Sequence, residues 1–182
     1  MKLNLLMLYA LFVLTTSFRI GYEWVQAWVD TKIILKSDLS PKLRKQITNK
    51  KLTLLLLTKK ELITTSSNGN TYLRCYLVNN TDTTTLIKRA DATIYGFTTQ
   101  IKKDNVWQLF QEPLRVTCGN SFWTQELETQ KALSIQLDHS ESGNLKVPFR
   151  VKYEHGSMLI YSNVITVDID QGSYDRVGKL KQ

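Results

Sequence analysis

The prediction of a β fold starts from two segments, Cys75-Tyr-Leu-Val-Asn-Asn-Thr-Asp-Thr-Thr-Thr-Leu86 and Glu112-Pro-Leu-Arg-Val-Thr-Cys118. They contain the two cysteines of the chain, and each cysteine lies on the apolar phase of an alternating pattern. Because successive side chains of a strand point to opposite faces, both sulfurs are predicted to face one core. The pattern indicates a β domain closed by a disulfide between Cys75 and Cys118, or, in a reducing compartment, two buried thiols that pack as small hydrophobic groups.

The surrounding sequence, residues 51–168, is predicted to form an all-β antiparallel sandwich of seven to nine strands. Short alternating segments are separated by turn signals, and no long helical pattern occurs among them. Asp104-Asn105 is a two-residue hairpin signal, and Trp107 after it is expected in the core. The clearest one-sided strand has Val147, Phe149, Val151 and Tyr153 on its apolar face and Lys146, Arg150 and Lys152 on its polar face.

Shorter elements are predicted on both sides of the sandwich. Residues 19–50 are expected to be a basic, partly helical connector, with a short N-terminal helix from Trp24 to about Ile34 because its apolar residues recur every fourth position. Ser40 as N-cap and Pro41 at the first helical position indicate a second short helix. Residues 169–182 show no period and are expected to be a flexible tail.

The first 18 residues are predicted to direct export. Lys2 precedes an apolar run from Leu5 to Leu14, followed by the small polar residues Thr15-Thr-Ser17, which is typical of a signal peptide. The alternative is an uncleaved anchor, in which residues 3–18 associate with a membrane. Either case predicts an exported protein that is periplasmic, secreted or held at the cell surface, where a disulfide closing a loop of this length would stabilise the fold by about 3–4 kcal/mol.

The net charge of +8 belongs to the N-terminal third of the chain. Residues 1–60 contain eleven Lys and Arg against three acidic residues, whereas the remainder is balanced. The basic stretch is either a solvated tether or a segment attracted to an anionic surface. No nucleic-acid partner is expected, because no aromatic residues interleave the basic run to stack on bases.

Residues that could carry chemistry do not form a recognisable constellation. His139 and His155 lack metal-ligand spacing, and Asp138-His-Ser140 cannot form a triad from one loop. The carboxylates of Glu112, Glu126 and Glu128 are interpreted as surface charges. No cofactor, metal or catalytic site is therefore predicted.

An exposed aromatic face is the main sequence hint of binding. Tyr72 and Tyr76 lie on the strand phase opposite to Cys75 and could form an outward binding face. The alternative is that the N-terminal segment covers this face.

Two further segments carry a resemblance to a known fold: Leu77-Val-Asn-Asn-Thr-Asp-Thr-Thr-Thr-Leu86, and Phe149-Arg-Val-Lys-Tyr-Glu-His155 with Tyr161-Ser-Asn-Val-Ile-Thr-Val167. With the tryptophan hairpin between them, they resemble bacterial immunoglobulin-like domains. The layout is similar to that of the bacterial intracellular proteinase inhibitor family and of uncharacterised exported proteins of the Bacteroidetes type. The export-like start and the cysteine pair depart from the inhibitors, and no inhibitory loop motif is found.

The resemblance implies an immunoglobulin-like sandwich, and fold alone does not assign an activity. The leading hypothesis is a non-enzymatic, exported interaction module that binds a protein or an envelope polymer. The alternative is a proteinase inhibitor that acts through loops at one end of the sandwich, and a small hydrolase is a third, weaker hypothesis.

Overall fold

The computed structural model describes residues 23–25, 27–58, 63–64, 71–113, 121–138 and 143–179. Within these ranges the chain is mostly strand, which confirms the predicted all-β class with antiparallel sheets. The strands are β1 (Glu23–Val25), β2 (Ala27–Leu35), β3 (Leu52–Leu56), β4 (Ile63–Thr64), β5 (Thr71–Asn79), β6 (Thr85–Ala90), β7 (Thr93–Ile94), β8 (Phe97–Lys103), β9 (Val106–Pro113), β10 (Phe122–Leu127), β11 (Lys131–Asp138), β12 (Leu145–His155), β13 (Met158–Tyr161) and β14 (Ile165–Ile169). The helical elements are a 3-10 turn (Lys36–Asp38) and two short helices (Pro41–Arg44 and Gln171–Arg176).

The described strands belong to two sheets. The six-stranded sheet has the order β1-β9-β8-β12-β13, and β14 pairs with β12 on the same side as β13. The eight-stranded sheet has the order β10-β6-β7-β2-β11-β5-β3, with β4 also paired to β5. The pairs are antiparallel except for β1 with β9. The larger number of strands than predicted comes from the N-terminal strands and from two-residue strands such as β4 and β7.

One apolar core contains side chains from both sheets. Leu73, Cys75 and Leu77 of β5 are fully buried, as their alternation predicts. From the other sheet, the aromatic rings of Phe149 and Tyr153 join the same cluster, which confirms the predicted inward face of β12. Burial of this apolar surface is the main contribution to the stability of the fold.

The predicted helix from Trp24 to Ile34 is wrong, because this segment forms β1 and β2. Val29 and Ile33 are four residues apart, a spacing that places two side chains on one face of either a helix or a strand. The β-branched residues of this segment favour the strand. β2 pairs with β11 and β7, so it lies inside the eight-stranded sheet and is not part of a connector.

A second, smaller cluster covers part of the outer surface of the eight-stranded sheet. The predicted helix start is confirmed, since Ser40 Oγ accepts a hydrogen bond from the Leu43 amide at 3.4 Å and Pro41 is the first helical residue. Residues 39–47 pack apolar side chains onto β3, β5 and β11. The cluster consists of Leu39, Leu55, Val78 and Ala132, with Ile34, Leu43, Ile47 and Tyr76 packed against it.

The C-terminal segment also differs from its prediction as a flexible tail. Asp170 caps the helix Gln171–Arg176 by accepting a hydrogen bond from the Ser173 amide at 2.8 Å, and this bonding lowers the pKa of Asp170. Val177 is buried in the main core, and Lys103 Nζ donates to its carbonyl at 3.0 Å. The helix is therefore anchored to the sandwich by a cap, an apolar contact and a cation.

The Asp104-Asn105 hairpin is confirmed between β8 and β9. Both residues have positive φ angles, 49° and 63°, as a two-residue hairpin turn requires. The prediction that Trp107 is a core aromatic is wrong. Trp107 is half-buried on the outer face of the sheet, where the guanidinium of Arg150 lies over its ring. Trp107 of β9 pairs with Lys102 of β8, so both side chains lie on the polar outer face of the sheet.

Candidate functional site

Strand β13 presents exposed apolar side chains along one edge of the described fold. Met158, Leu159 and Tyr161 are 52%, 56% and 43% exposed. These three residues fall within four positions of the sequence. Contiguous exposed apolar residues of this kind mark interaction sites more often than isolated ones do.

β13 is also an edge with unpaired backbone groups. It pairs with β12 through a hairpin whose turn contains Gly156 at φ 59°. Bonds to β12 alternate along the strand, and the Ser162 amide donates to the Val151 carbonyl at 2.9 Å. By this alternation, the amides and carbonyls of Leu159 and Tyr161 point away from β12. Among the described residues, no backbone hydrogen bond reaches them.

Asn163 fixes the distance between this edge and the neighbouring edge of the other sheet. Its Oδ1 accepts from the Leu56 amide at 2.7 Å, and its Nδ2 donates to the Leu56 carbonyl at 2.8 Å. The side-chain amide therefore satisfies the outward backbone groups of β3 as a neighbouring strand would. Beyond this contact, the two edges border an open groove.

The edge groove, as we call it, is a depression of about 720 Å³ between β13 and the segment around β3. Its apolar side is formed by Leu52, Met158, Leu159, Ile160 and Tyr161, and its hydroxyl-bearing side by Thr48, Thr53, Thr81, Thr83 and Thr85. Lys50, Lys51 and His155 complete the lining as far as the structure describes it, and none of these lining residues is a carboxylate. Lys50 lies 3.7 Å from Asp82, but both side chains are about four-fifths exposed, so this ion pair is weak.

Asn79 holds the threonine side of the groove in place. Its side chain is fully buried and makes four hydrogen bonds. Nδ2 donates to the carbonyls of Leu127 and Thr83 at 2.7 and 2.9 Å, while Oδ1 accepts from the Thr81 amide and hydroxyl at 3.0 and 2.7 Å. The Asn79-Asn-Thr81 motif is therefore a structural turn with both amide protons in use.

His155 lies at the rim of the groove in an environment that disfavours its charged form. Burial, and secondarily the positive charge of Lys88, lower the pKa of His155. Its Nδ1 is 3.2 Å from the hydroxyl of Tyr153, whose own pKa burial raises to about 12. The imidazole is therefore mainly neutral at neutral pH, and the lysines supply the charge of the groove.

The residues predicted from sequence lie elsewhere. Tyr76 packs against the outer cluster. Its position agrees with the alternative in which the N-terminal segment covers this face. Tyr72 is half-buried on β5 beside β4. Cys75 is a buried free thiol, and burial raises its pKa far above the ordinary value. Cys118 lies outside the described residues, so the disulfide stays a prediction.

Where the structure describes them, the carboxylates and histidines named above lie on different elements. Glu128 pairs with Lys131 at 2.7 Å, Glu126 is exposed on β10, and His139 lies outside the described residues. No group of three or more potential metal ligands occurs in the part of the chain that the structure describes. The edge groove was missed from the sequence, although Met158-Leu-Ile-Tyr161 breaks the alternation of a strand with one wet face.

Comparison with protein-family models, curated proteins and solved structures gives no match. Over the described ranges, none of the helices has both the length and the apolar character needed to cross a bilayer. The predicted signal peptide or anchor, residues 1–18, lies outside those ranges. The function is therefore argued from the edge groove itself.

Proposed function

We propose that this protein is a non-enzymatic, exported, immunoglobulin-like interaction module that binds an extended segment of a partner protein along β13. The observation that carries the proposal is the unpaired, apolar edge of β13 beside a groove whose described lining residues include two lysines and no carboxylate. An exposed apolar edge strand is a template for pairing with another chain, and natural sheets normally protect it with charges, proline or a bulge. β13 carries none of these.

Strand addition supplies the binding energy in this proposal. The amides and carbonyls of Leu159 and Tyr161 would bond to the backbone of the added strand. Its alternate side chains would face Met158 and Ile160 on the inner side. Carboxylates on the segment would be attracted to Lys51 at the groove, so the favoured partner is an extended segment that alternates apolar and acidic residues.

The proposal also includes an immunoglobulin-like fold and export of the protein. Two sheets that share one core support an immunoglobulin-like sandwich, and the apolar run from Leu5 to Leu14 supports export. Cys75 on the inward face of β5 is compatible with the predicted pairing to Cys118, which an oxidising compartment would allow.

The test uses the full chain and synthetic peptides that alternate valine and glutamate. We expect binding by fluorescence anisotropy, with loss of binding when alternate peptide amides are N-methylated, because N-methylation removes the donors of one strand edge. Leu159→Glu should weaken binding by about 10-fold or more, since a carboxylate on the edge strand repels the glutamates of the peptide and disfavours pairing. Val164→Glu is the matched control, because Val164 is similarly exposed but lies outside β13 and the groove lining.

Equal binding by the Leu159→Glu and Val164→Glu variants would refute the strand-addition proposal. So would N-methylated peptides that bind as well as the parent peptides. Inhibition of a serine or cysteine protease panel by the full chain, unaffected by Leu159→Glu, would instead favour the inhibitor alternative.

A further inference from the structure

Arg150 occupies an unusual place on the outer face of the six-stranded sheet. Its guanidinium lies between two aromatic rings, 4.2 Å from the centroid of Trp107 and 4.2 Å from that of Tyr161. Its Nε donates to Gln100 Oε1 at 2.8 Å. The three partners come from β9, β13 and β8, so this arrangement depends on the register of four strands.

The strand registers explain why these side chains meet. Arg150 is directly opposite Gln100, and Tyr161 is opposite Lys152, two positions along β12 from Arg150. Residues on one face of a sheet and diagonal to one another are within reach of long and aromatic side chains. Cation–π contacts on both sides therefore restrict the orientation of the guanidinium.

The hydrogen-bonding capacity of Arg150 is only partly used. A guanidinium has five N–H donors, and the bond to Gln100 uses the one on Nε. Within the described residues, the terminal nitrogens have no hydrogen bond or ion pair with another side chain. Glu154, an acidic residue of the same face of β12, is bound to Lys152 at 2.6 Å. The positive charge of Arg150 is thus held in place without a matching anion.

Space for a ligand adjoins the stacked rings. A depression of about 560 Å³ is lined by Trp107 and Leu109 as apolar walls and by Gln100 and Lys152 as polar ones. Burial lowers the pKa of Arg150 from a value so high that the group remains charged at neutral pH. Arg150 lies beside this depression, where it stacks on Trp107 and donates to Gln100, two residues of the lining. A fixed cation therefore borders a shallow site that has amide groups and an apolar wall.

We propose that this face is a binding site for a carboxylate-bearing polysaccharide, a polymer of uronic acid residues. The fork of Arg150 would bind the carboxylate in a bidentate manner, since a planar guanidinium matches a carboxylate. The C–H face of the sugar ring would pack against Trp107 and Leu109, while Gln100 and Lys152 would bind hydroxyl groups. An acidic peptide is less suited, because its flexible carboxylate side chains offer no rigid ring to fill the depression.

This inference does not rest on the edge groove, and its test uses different residues. Full-chain protein is titrated with polygalacturonate, with neutral dextran and poly-glutamate as comparison polymers, by affinity electrophoresis and calorimetry. We expect polygalacturonate to bind and the other two polymers to bind at least about 10-fold more weakly.

The variants separate a specific site from general attraction between charges. Arg150→Gln should weaken polygalacturonate binding by about 10-fold or more, and Arg150→Lys should recover little of it, because lysine lacks the planar fork. Lys146→Gln removes an exposed cation from the same face of β12 and should change the affinity by no more than about 2-fold. Unchanged unfolding midpoints of the variants establish that the fold is retained.

Any one of three results would overturn the proposal: no binding of polygalacturonate to the native chain, a loss of binding in Lys146→Gln as large as that in Arg150→Gln, or binding of poly-glutamate as tight as that of polygalacturonate. The last result would identify the face as a site for acidic peptides instead. If Arg150→Gln loses its fold, Trp107→Leu, which removes the ring but leaves the charge, should still weaken polygalacturonate binding.

Discussion

Replacement of Asn79 by alanine should be among the most destabilising single changes in this protein. The side chain is fully buried, and its amide joins the end of β5 to the 81–83 turn and to the carbonyl at the end of β10. Alanine removes all four hydrogen bonds and fills less of the space. The carbonyl of Leu127 then loses its bond from Asn79 in a buried setting.

The magnitude follows from the number and burial of these bonds. A typical intramolecular hydrogen bond contributes a net stability of about 1 kcal/mol, and a buried group left unsatisfied costs about 1–3 kcal/mol. Because the bonds to Thr81 and Thr83 are only partly buried, water can replace some of them. We therefore expect Asn79→Ala to lower the free energy of unfolding by about 3–4 kcal/mol.

Substitution of Asn79 by aspartate tests the hydrogen bonds alone, because aspartate fills nearly the same volume as asparagine. Asn79→Asp keeps the shape and the acceptor, but at neutral pH it places a carboxylate against the carbonyls of Leu127 and Thr83. We expect a loss at least as large as that of alanine, with partial recovery in mild acid, where the protonated carboxyl can donate one bond.

Urea unfolding followed by tryptophan fluorescence measures these losses, and Asn144→Ala, an exposed asparagine, serves as the control with a change within about 0.5 kcal/mol. A loss below about 1 kcal/mol for Asn79→Ala, or native stability of Asn79→Asp at neutral pH, would refute the argument.

Three further predictions concern other parts of the fold. Val177→Ala should lower the free energy of unfolding by about 1.5–3 kcal/mol, because Val177 anchors the C-terminal helix in the core; an effect near zero in urea unfolding would show that the helix is not anchored there. In protein made under reducing conditions, Cys75 should resist alkylation in native buffer and react in concentrated urea, because burial raises its pKa, whereas non-reducing peptide mapping of exported protein should yield a Cys75–Cys118 crosslink. The pKa of His155 is lowered in the folded state, so the neutral imidazole contributes its full stability above the ordinary pKa of 6.5, and this stability is lost as pH falls toward the folded pKa. His155→Gln should therefore reduce the loss of stability between neutral and mildly acidic pH, measured as urea midpoints.

Local patterns predicted much of the fold where one interpretation fitted them. The alternation around Cys75 and along β12 identified the buried faces, and Asp104-Asn105 identified its hairpin because a tight turn demands particular backbone angles. β2 was mistaken for a helix because Val29 and Ile33 have a spacing that both structures share. Its partner strand, β11, decides between them, and that pairing is tertiary.

The candidate sites depend still more on contacts between distant segments. The edge groove forms where Thr48 and Lys51 approach Met158 and Leu159, and nothing local to either segment predicts the other. Tyr76 was placed on the correct face of its strand, but its covering by the outer cluster depends on how the 39–47 segment folds back. The face of a strand on which a side chain lies follows from the local alternation, whereas its exposure depends on which other segments pack over that face.

The position of β2 has a consequence for the order in which the chain can fold. Ile33 pairs with Leu133, so the centre of the eight-stranded sheet joins residues about one hundred positions apart. Closing so long a loop is slow, and during synthesis it must await nearly three-quarters of the chain. Until then β2 lacks β11, one of its two neighbouring strands, and the backbone groups on that side of β2 have no partner within the sheet.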